Sequence, residues 1–253
     1  MASVKDFGIV LRRLDYSETS QVLAVLCRET GLQRLIGRGV KRGTKKQAAV
    51  GIDLLEVGAV VYSRRPGSDA QLGTLIEWRQ QKRFDALRRG LAAAYAAQYA
   101  ADRAVQVLEE NDPHPGLFDA FVAFTDEIDA VHALPSLTRH LWTLLHEIGL
   151  MPELNRCVGC GGPVRAGAAY FTSREGGLLC RDCEPARVEK RRVERAALEA
   201  LREPGAPAAP AAVRGAFDLL DYHLSSISGR PSKVREALRA TLERGGSVGG
   251  ARG

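Results

Sequence analysis

Two cysteine pairs, Cys157-x2-Cys160 and Cys180-x2-Cys183, constrain this chain more tightly than any other feature of its 253 residues. Two residues inside each pair let a tight turn aim both sulfurs at one point. The 19-residue spacer is long enough for a small hairpin that brings the two turns together. Four thiolates complete a tetrahedral shell, which Zn2+ favours and which soft ligands select. The flanks agree: Gly159, Gly161 and Gly162 suit the first turn, and "REGG" from Arg174 turns the spacer. Four protein ligands leave no open position for water or substrate, so the expected role is a structural staple. A DNA-reading zinc ribbon is the alternative, but the segment is only weakly basic, with Arg165, Arg174 and Arg181 set against Glu175 and Asp182. Cys27 stands alone in a strand-like segment and reads as a small buried apolar residue.

The charge lies elsewhere. Residues 1–90 carry 17 Lys and Arg against 9 Asp and Glu, an excess of +8, whereas the whole chain has +6. The segment "GLQRLIGRGVKRGTKK", residues 31–46, holds Arg34, Arg38, Lys41, Arg42, Lys45 and Lys46 and no acidic residue. Glycines between these cations let backbone and side chains approach a polyphosphate closely. It is not a nucleotide-triphosphate loop, because Gly43 is followed by Thr44 rather than by Lys-Ser/Thr. Arg12, Arg13, Arg64 and Arg65 widen the positive face, as do Arg79, Lys82, Arg83, Arg88 and Arg89. A solvated charged loop is the plain alternative.

The pattern of apolar residues divides the chain. Segments Phe7–Leu14, Gln21–Arg28, Leu32–Ile36, Leu54–Tyr62 and Leu72–Trp78 are rich in β-branched and aromatic residues and bounded by turn formers. "CRETGLQ" signals a hairpin with Gly31 at positive φ. Five short strands within about 80 residues, with one long basic connection, fit an OB-fold barrel, with other small barrels as alternatives. Phe7, Tyr16, Tyr62 and Trp78 are the aromatic candidates for stacking on bases. After Trp78 the period becomes helical: an alanine-rich segment from Phe84 to Glu110, then Gly116–His132, Ser136–Ile148 capped by Ser136, Val188–Glu203, Val213–Ser226 and Pro231–Arg244. The expected organisation is α+β: an OB-fold domain over 1–80, then an all-helical domain over 81–253. A zinc knuckle interrupts the latter at about 154–186, and a disordered tail occupies 245–253.

No run approaches the roughly 20 apolar residues that span a bilayer, and "MASVKDFGIV" lacks the features of a signal peptide. A cytoplasmic chain is expected, where paired cysteines serve as metal ligands rather than disulfides. Catalytic motifs are missing: His140 and His146 form no HExxH, no His-x-Glu precedes the cysteine pairs, and no Gly-x-Ser-x-Gly occurs. An RNA-tethering or structural interaction protein, and a zinc hydrolase, are the competing classes to a DNA-binding protein.

Taken in order, "DFGIVLRRLDYSETSQVLAVLCRETGLQRLIGRGVKR", "YFTSREGGLLCRDC" and "DYHLSSISGRPSKVREAL" resemble the opening, the knuckle-closing segment and the C-terminal segment of the RecO family of bacterial DNA repair proteins. The resemblance covers residues from about 4 to 242. It implies a recombination mediator rather than an enzyme. Such proteins bind single- and double-stranded DNA, anneal complementary strands and, with RecR and in some pathways RecF, load RecA onto DNA coated by single-stranded DNA-binding protein. They take the acidic tail of that coating protein on the helical domain, and they are nucleoid-associated in the cytoplasm. By position, Arg34, Arg38, Lys41, Arg42, Lys45 and Lys46 match the DNA-contacting loop, and Cys157, Cys160, Cys180 and Cys183 match the ligands of one structural Zn2+.

Overall fold

The computed structural model describes residues 3–41, 51–64, 72–84, 87, 90–164, 169–204 and 206–247. Five strands open the chain: β1 (Ser3–Asp15), β2 (Gln21–Cys27), β3 (Gly31–Gly37), β4 (Val57–Ser63) and β5 (Gly73–Lys82). They close into a barrel in the order β1-β2-β3-β5-β4. This is the OB-fold expected from the sequence. Closure depends on β1 serving two neighbours. Its first half pairs with β4 and its second half with β2, and a bulge between Val10 and Arg12 bends it. Gly8 sits where both pairings overlap; a Cβ there would lie 2.4 Å from Val25 Cγ1. The last seam is parallel, Leu35 and Ile36 of β3 against Gly73 and Thr74 of β5.

Val10, Leu23, Val25, Leu35, Val60 and Leu75 fill the barrel. Cys27 joins them, fully buried, and burial pushes its thiol up to about 12, as fits an inert apolar residue. Gly31 takes φ +71, the left-handed hairpin position assigned to it. Glu29 and Thr30 of that turn are tied to β1 through Asp6, which accepts the Thr30 hydroxyl at 2.7 Å and the Glu29 amide at 3.2 Å.

Two helices follow, α1 (Leu91–Val107) and α2 (Pro115–Glu127). Alanines at 93, 96, 97, 100, 101 and 104 are buried in α1. The described chain divides into two compact units, Met1–Asp129 and Ala130–Gly253, so α1 and α2 share a unit with the barrel.

The second unit contains α3 (Ala133–Glu147), a sheet of β6 (Glu153–Cys157), β7 (Ala169–Thr172), β8 (Gly177–Leu179) and β9 (Arg191–Val193), then α4 (Arg195–Arg202), α5 (Pro210–Ser228) and α6 (Arg235–Ser247). The sheet order is β6-β8-β7-β9. Several expected boundaries move. Ser136 does not cap α3: the helix begins at Ala133, and its first intrahelical bond runs from the Ser136 amide to His132 O. Pro135 is tolerated because first-turn amides have no intrahelical partner. The helix expected over Gly116–His132 ends at Glu127, where Ile128 turns extended. The helix expected over Val188–Glu203 begins only at Arg195. Residues 191–193 pair with β7 instead, because an open sheet edge offers backbone partners and buries Val193, which outweighs local helix propensity. The knuckle is thus part of a sheet reaching from Glu153 to Val193. At the other end α6 runs to Ser247, inside the segment expected as tail. The rest of that tail, residues 248–253, lies outside the described residues.

Candidate metal centre and nucleic-acid interface

Each cysteine pair sits just past a strand. Cys157 ends β6 and Cys180 follows β8, and these strands are hydrogen-bonded neighbours, so the sheet brings the two turns together. Each turn closes on its own backbone, Gly161 N to Cys157 O at 2.8 Å and Glu184 N to Cys180 O at 3.0 Å. Gly161 supplies the positive φ of +72. Gly159 has a different reason: a Cβ there would press on the Cys183 Cβ and Sγ at 3.2 Å, so the approach of the second turn calls for a small residue.

All four sulfurs lie within 4.8 Å of one another, with Cys160 and Cys180 Sγ 3.9 Å apart. A tetrahedron with metal–sulfur bonds of about 2.3 Å has edges of about 3.8 Å, so the donor set fits a metal ion. Burial raises the Cys157 thiol, but amide donors from Cys180, Cys160 and Gly159 outweigh it and bring the group down to about 6. The neighbouring sulfurs push the Cys183 thiol the other way, upward, so the four groups titrate as one cluster.

The sheet is fastened to the helices by Glu189, which no motif marked, and by Asp221–His223 at the head of the C-terminal segment quoted above. Glu189 accepts from the Thr172 hydroxyl at 2.8 Å, from the Ser173 and Arg174 amides at 3.2 Å, and from the Tyr222 hydroxyl of α5. His223 stands between Ser173 Oγ and Leu150 O, at 3.3 and 3.2 Å, with its ring edge-on to Phe171. Asp221 pairs with Arg235 at 2.9 Å. The "DYH" at Asp221–His223 is thus a three-way fastening, with each side chain tied to a different segment.

In the first unit the candidate DNA contacts fall around the barrel. Arg34 projects from β3 to Glu110 at 2.6 Å, and Arg64, just past β4, reaches the same carboxylate at 3.5 Å. Arg12 and Arg13 diverge, to Asp102 and to Asp53, each at 2.8 Å. Arg38 is exposed and meets no carboxylate among the described residues. Arg42, Lys45, Lys46 and Arg65 lie outside the described residues, as do Arg88 and Arg89. The pairs of Arg34, Arg64 and Arg13 are partly exposed and contribute about 0–1 kcal/mol each, which leaves these cations exchangeable toward phosphate, whereas Arg12 is held by the buried Asp102.

Both visible ends of the basic connection are anchored beside the β1–β2 turn. At the near end Lys41 donates its amide to Thr19 O at 3.2 Å and its ammonium to Asp15 at 3.0 Å. At the far end the Ile52 amide reaches Gln21 Oε1 at 2.9 Å, and Gln21 Nε2 donates to Asp15 at 3.2 Å. Lys41, with Gln21 beside it, holds the Asp15 carboxyl below its ordinary range. Only the basic half of this arrangement was legible as a motif; Asp15 and Gln21 carry no signal of their own. Of the four aromatic candidates, Tyr62 is core at 2% exposure, and Trp78 packs against the core. Phe7 and Tyr16 are exposed, at 46% and 67%, and Tyr16 begins the turn to which Lys41 is tied. No described helix is long and apolar enough to cross a membrane.

Comparison with known proteins agrees with this architecture. The family model described as "Recombination protein O N terminal" matches residues 1–82, and "Recombination protein O C terminal" matches residues 88–236. A protein named DNA repair protein RecO from Anaeromyxobacter dehalogenans (strain 2CP-C) is 34% identical over 247 residues, 96% of this chain and 91% of the relative. One of the same name from Rhodopirellula baltica is 31% identical over 78% of this chain and 73% of its own. Another, from Bacillus subtilis (strain 168), is 30% identical over 70% and 67%.

Proposed function

We propose that this chain, which belongs to the RecO family of DNA repair proteins, works as a recombination mediator that holds DNA strands on its barrel and anneals them. The observation that carries the reading is the anchoring of the basic connection and the exposed Tyr16 turn to each other through Lys41, Asp15 and Thr19. Lys41 is thereby tied to the turn that carries the exposed Tyr16, and cations with stacking aromatics hold single strands without reading their sequence. The cations assigned to DNA are Arg34, Arg38 and Lys41, with Arg12, Arg13 and Arg64 elsewhere on the barrel; Arg42, Lys45, Lys46 and Arg65, outside the described residues, join the assignment on sequence alone. Phosphate contacts position a strand without specifying bases, as suits a protein that meets any sequence. A cationic surface also lowers the repulsion between two strands being paired.

Partners follow from the family role. RecR, and RecF in some pathways, act with the protein to load RecA onto DNA coated by single-stranded DNA-binding protein, whose acidic tail docks on the helical domain. The protein itself breaks no bond. Cys157, Cys160, Cys180 and Cys183 hold one structural Zn2+, which would lock the two turns of the sheet together.

Charge reversal at Arg38, Arg42, Lys45 and Lys46, leaving the Lys41 anchor intact, tests the assignment. Annealing of complementary oligonucleotides is expected to fall at least tenfold while the thermal melt stays near that of the parent. Annealing at the parental rate would refute it.

A further inference from the structure

We propose that Glu110 is a built-in competitor for DNA phosphate, its carboxylate filling an anion site formed by Arg34 and Arg64. The inference rests on the reading of the barrel as a DNA-binding surface and adds a means of regulating it. Arg34 Nε lies 2.6 Å from Glu110 Oε1, and an Arg64 terminal nitrogen lies 3.5 Å from Oε2. Two guanidinium groups, one on β3 and one just beyond β4, thus share the two oxygens of one anion. That is how arginines also take a phosphate.

The carboxylate is delivered to this place by its backbone. Glu110 forms a parallel bridge with Leu32 of β3, and the Asn111 amide donates to Leu32 O at 3.1 Å. Asn111 takes φ +66 to make the turn. The approach is close enough that a Cβ on Gly31 would lie 2.1 Å from Asp112 O. Gly31 is therefore needed twice, for its positive φ and for the room it leaves. Arg64 also donates to Asn111 Oδ1, yet its Nε is enclosed without a hydrogen-bond partner among the described residues. A phosphodiester offers two anionic oxygens, as the carboxylate does, and so can take the place of Glu110 between the two guanidinium groups.

The occupant is exchangeable. Side-chain exposures of 47% for Arg34, 33% for Arg64 and 29% for Glu110 leave the pairs in contact with water, where each contributes little. A single small anion gains nothing by displacing a tethered carboxylate. A strand that brings many phosphates at once and releases counterions does. Glu110 therefore sets a threshold: the site opens to a polyanion lying along the barrel and stays closed to isolated phosphates.

Glu110→Gln tests this, because the backbone bridge to Leu32 does not involve the side chain. Binding of a labelled oligothymidylate at fixed salt is expected to tighten roughly threefold to tenfold. The slope of log affinity against log salt should stay that of the parent, because the bound strand meets the same two arginines once Glu110 is displaced. Glu109→Gln is the charge-matched control, since Glu109 is exposed and meets no arginine among the described residues; it should change neither quantity. In an Arg34→Gln, Arg64→Gln background the gain from Glu110→Gln should vanish. A Glu110→Gln protein that binds like the control or more weakly, or a gain that survives loss of both arginines, overturns the proposal. A parent protein that ignores the oligonucleotide would instead remove the reading beneath it.

Discussion

Gln21 Oε1 accepts the amide of Ile52, 31 residues away, at 2.9 Å, and so ties the far end of the basic connection to the strand that starts after Asp15. Gln21 is 1% exposed and Asp15 takes its other polar end. Replacing it with leucine leaves the Ile52 amide without its acceptor, a loss of about 1–3 kcal/mol. We expect Gln21→Leu to lower the urea midpoint accordingly and to slow annealing. Unchanged annealing in the destabilised variant would mean that the anchoring does not serve the loop.

Single-strand affinity should fall steeply with salt. Six phosphate contacts give a slope of about −4 in log affinity against log salt, and a flat response would contradict the electrostatic grip. Arg38→Glu is the cleanest single substitution, because no described carboxylate partners Arg38; we expect affinity to drop roughly threefold to tenfold with no change in melting temperature.

Metal removal should be felt as a loss of folding rather than of chemistry. Cys180→Ser or Cys157→Ser is expected to abolish stoichiometric zinc by elemental analysis, lower the melting temperature, and speed amide exchange in β6 through β9. X-ray absorption of the parent should report four sulfur neighbours. A variant that has lost its metal and still melts like the parent would argue against the staple.

Acid should destabilise the protein through His140. Burial alone brings this imidazole down to about 3, against about 6.5 in an unfolded chain. Between those values the unfolded state binds the extra proton, so the contribution is complete above pH 6.5 and is lost as pH falls toward 3. At pH 5 the penalty is about 2 kcal/mol. His223 is shifted the same way, again by burial. Comparing unfolding free energies at pH 7 and pH 5, His140→Phe should lose about 2 kcal/mol less than the parent; equal losses would place the acid sensitivity elsewhere.

Local chemistry made part of this protein legible in its order of residues. The two-residue gap in each cysteine pair, the glycine at position 31 and the β-branched and aromatic runs of β1–β5 act over a few neighbours, and the corresponding features appear, with β4 starting at Val57 rather than Leu54. The failures share a cause. Residues 191–193 carry helix-compatible side chains but lie at an open sheet edge. Ser136 follows a proline that reads as a breaker, although the first turn of α3 tolerates it.

The sequence by itself determined what groups are present: four sulfurs spaced to share one ion, a cluster of cations with no carboxylate among them, and strand-forming segments enough to close a barrel. Only the tertiary structure decided which groups meet. Asp15 steadies Lys41, Glu110 stands between Arg34 and Arg64, and Glu189 ties the metal-binding sheet to Tyr222 of α5. The physical reason is that carboxylates remote in the chain are indistinguishable by local pattern until packing brings each one to its partner.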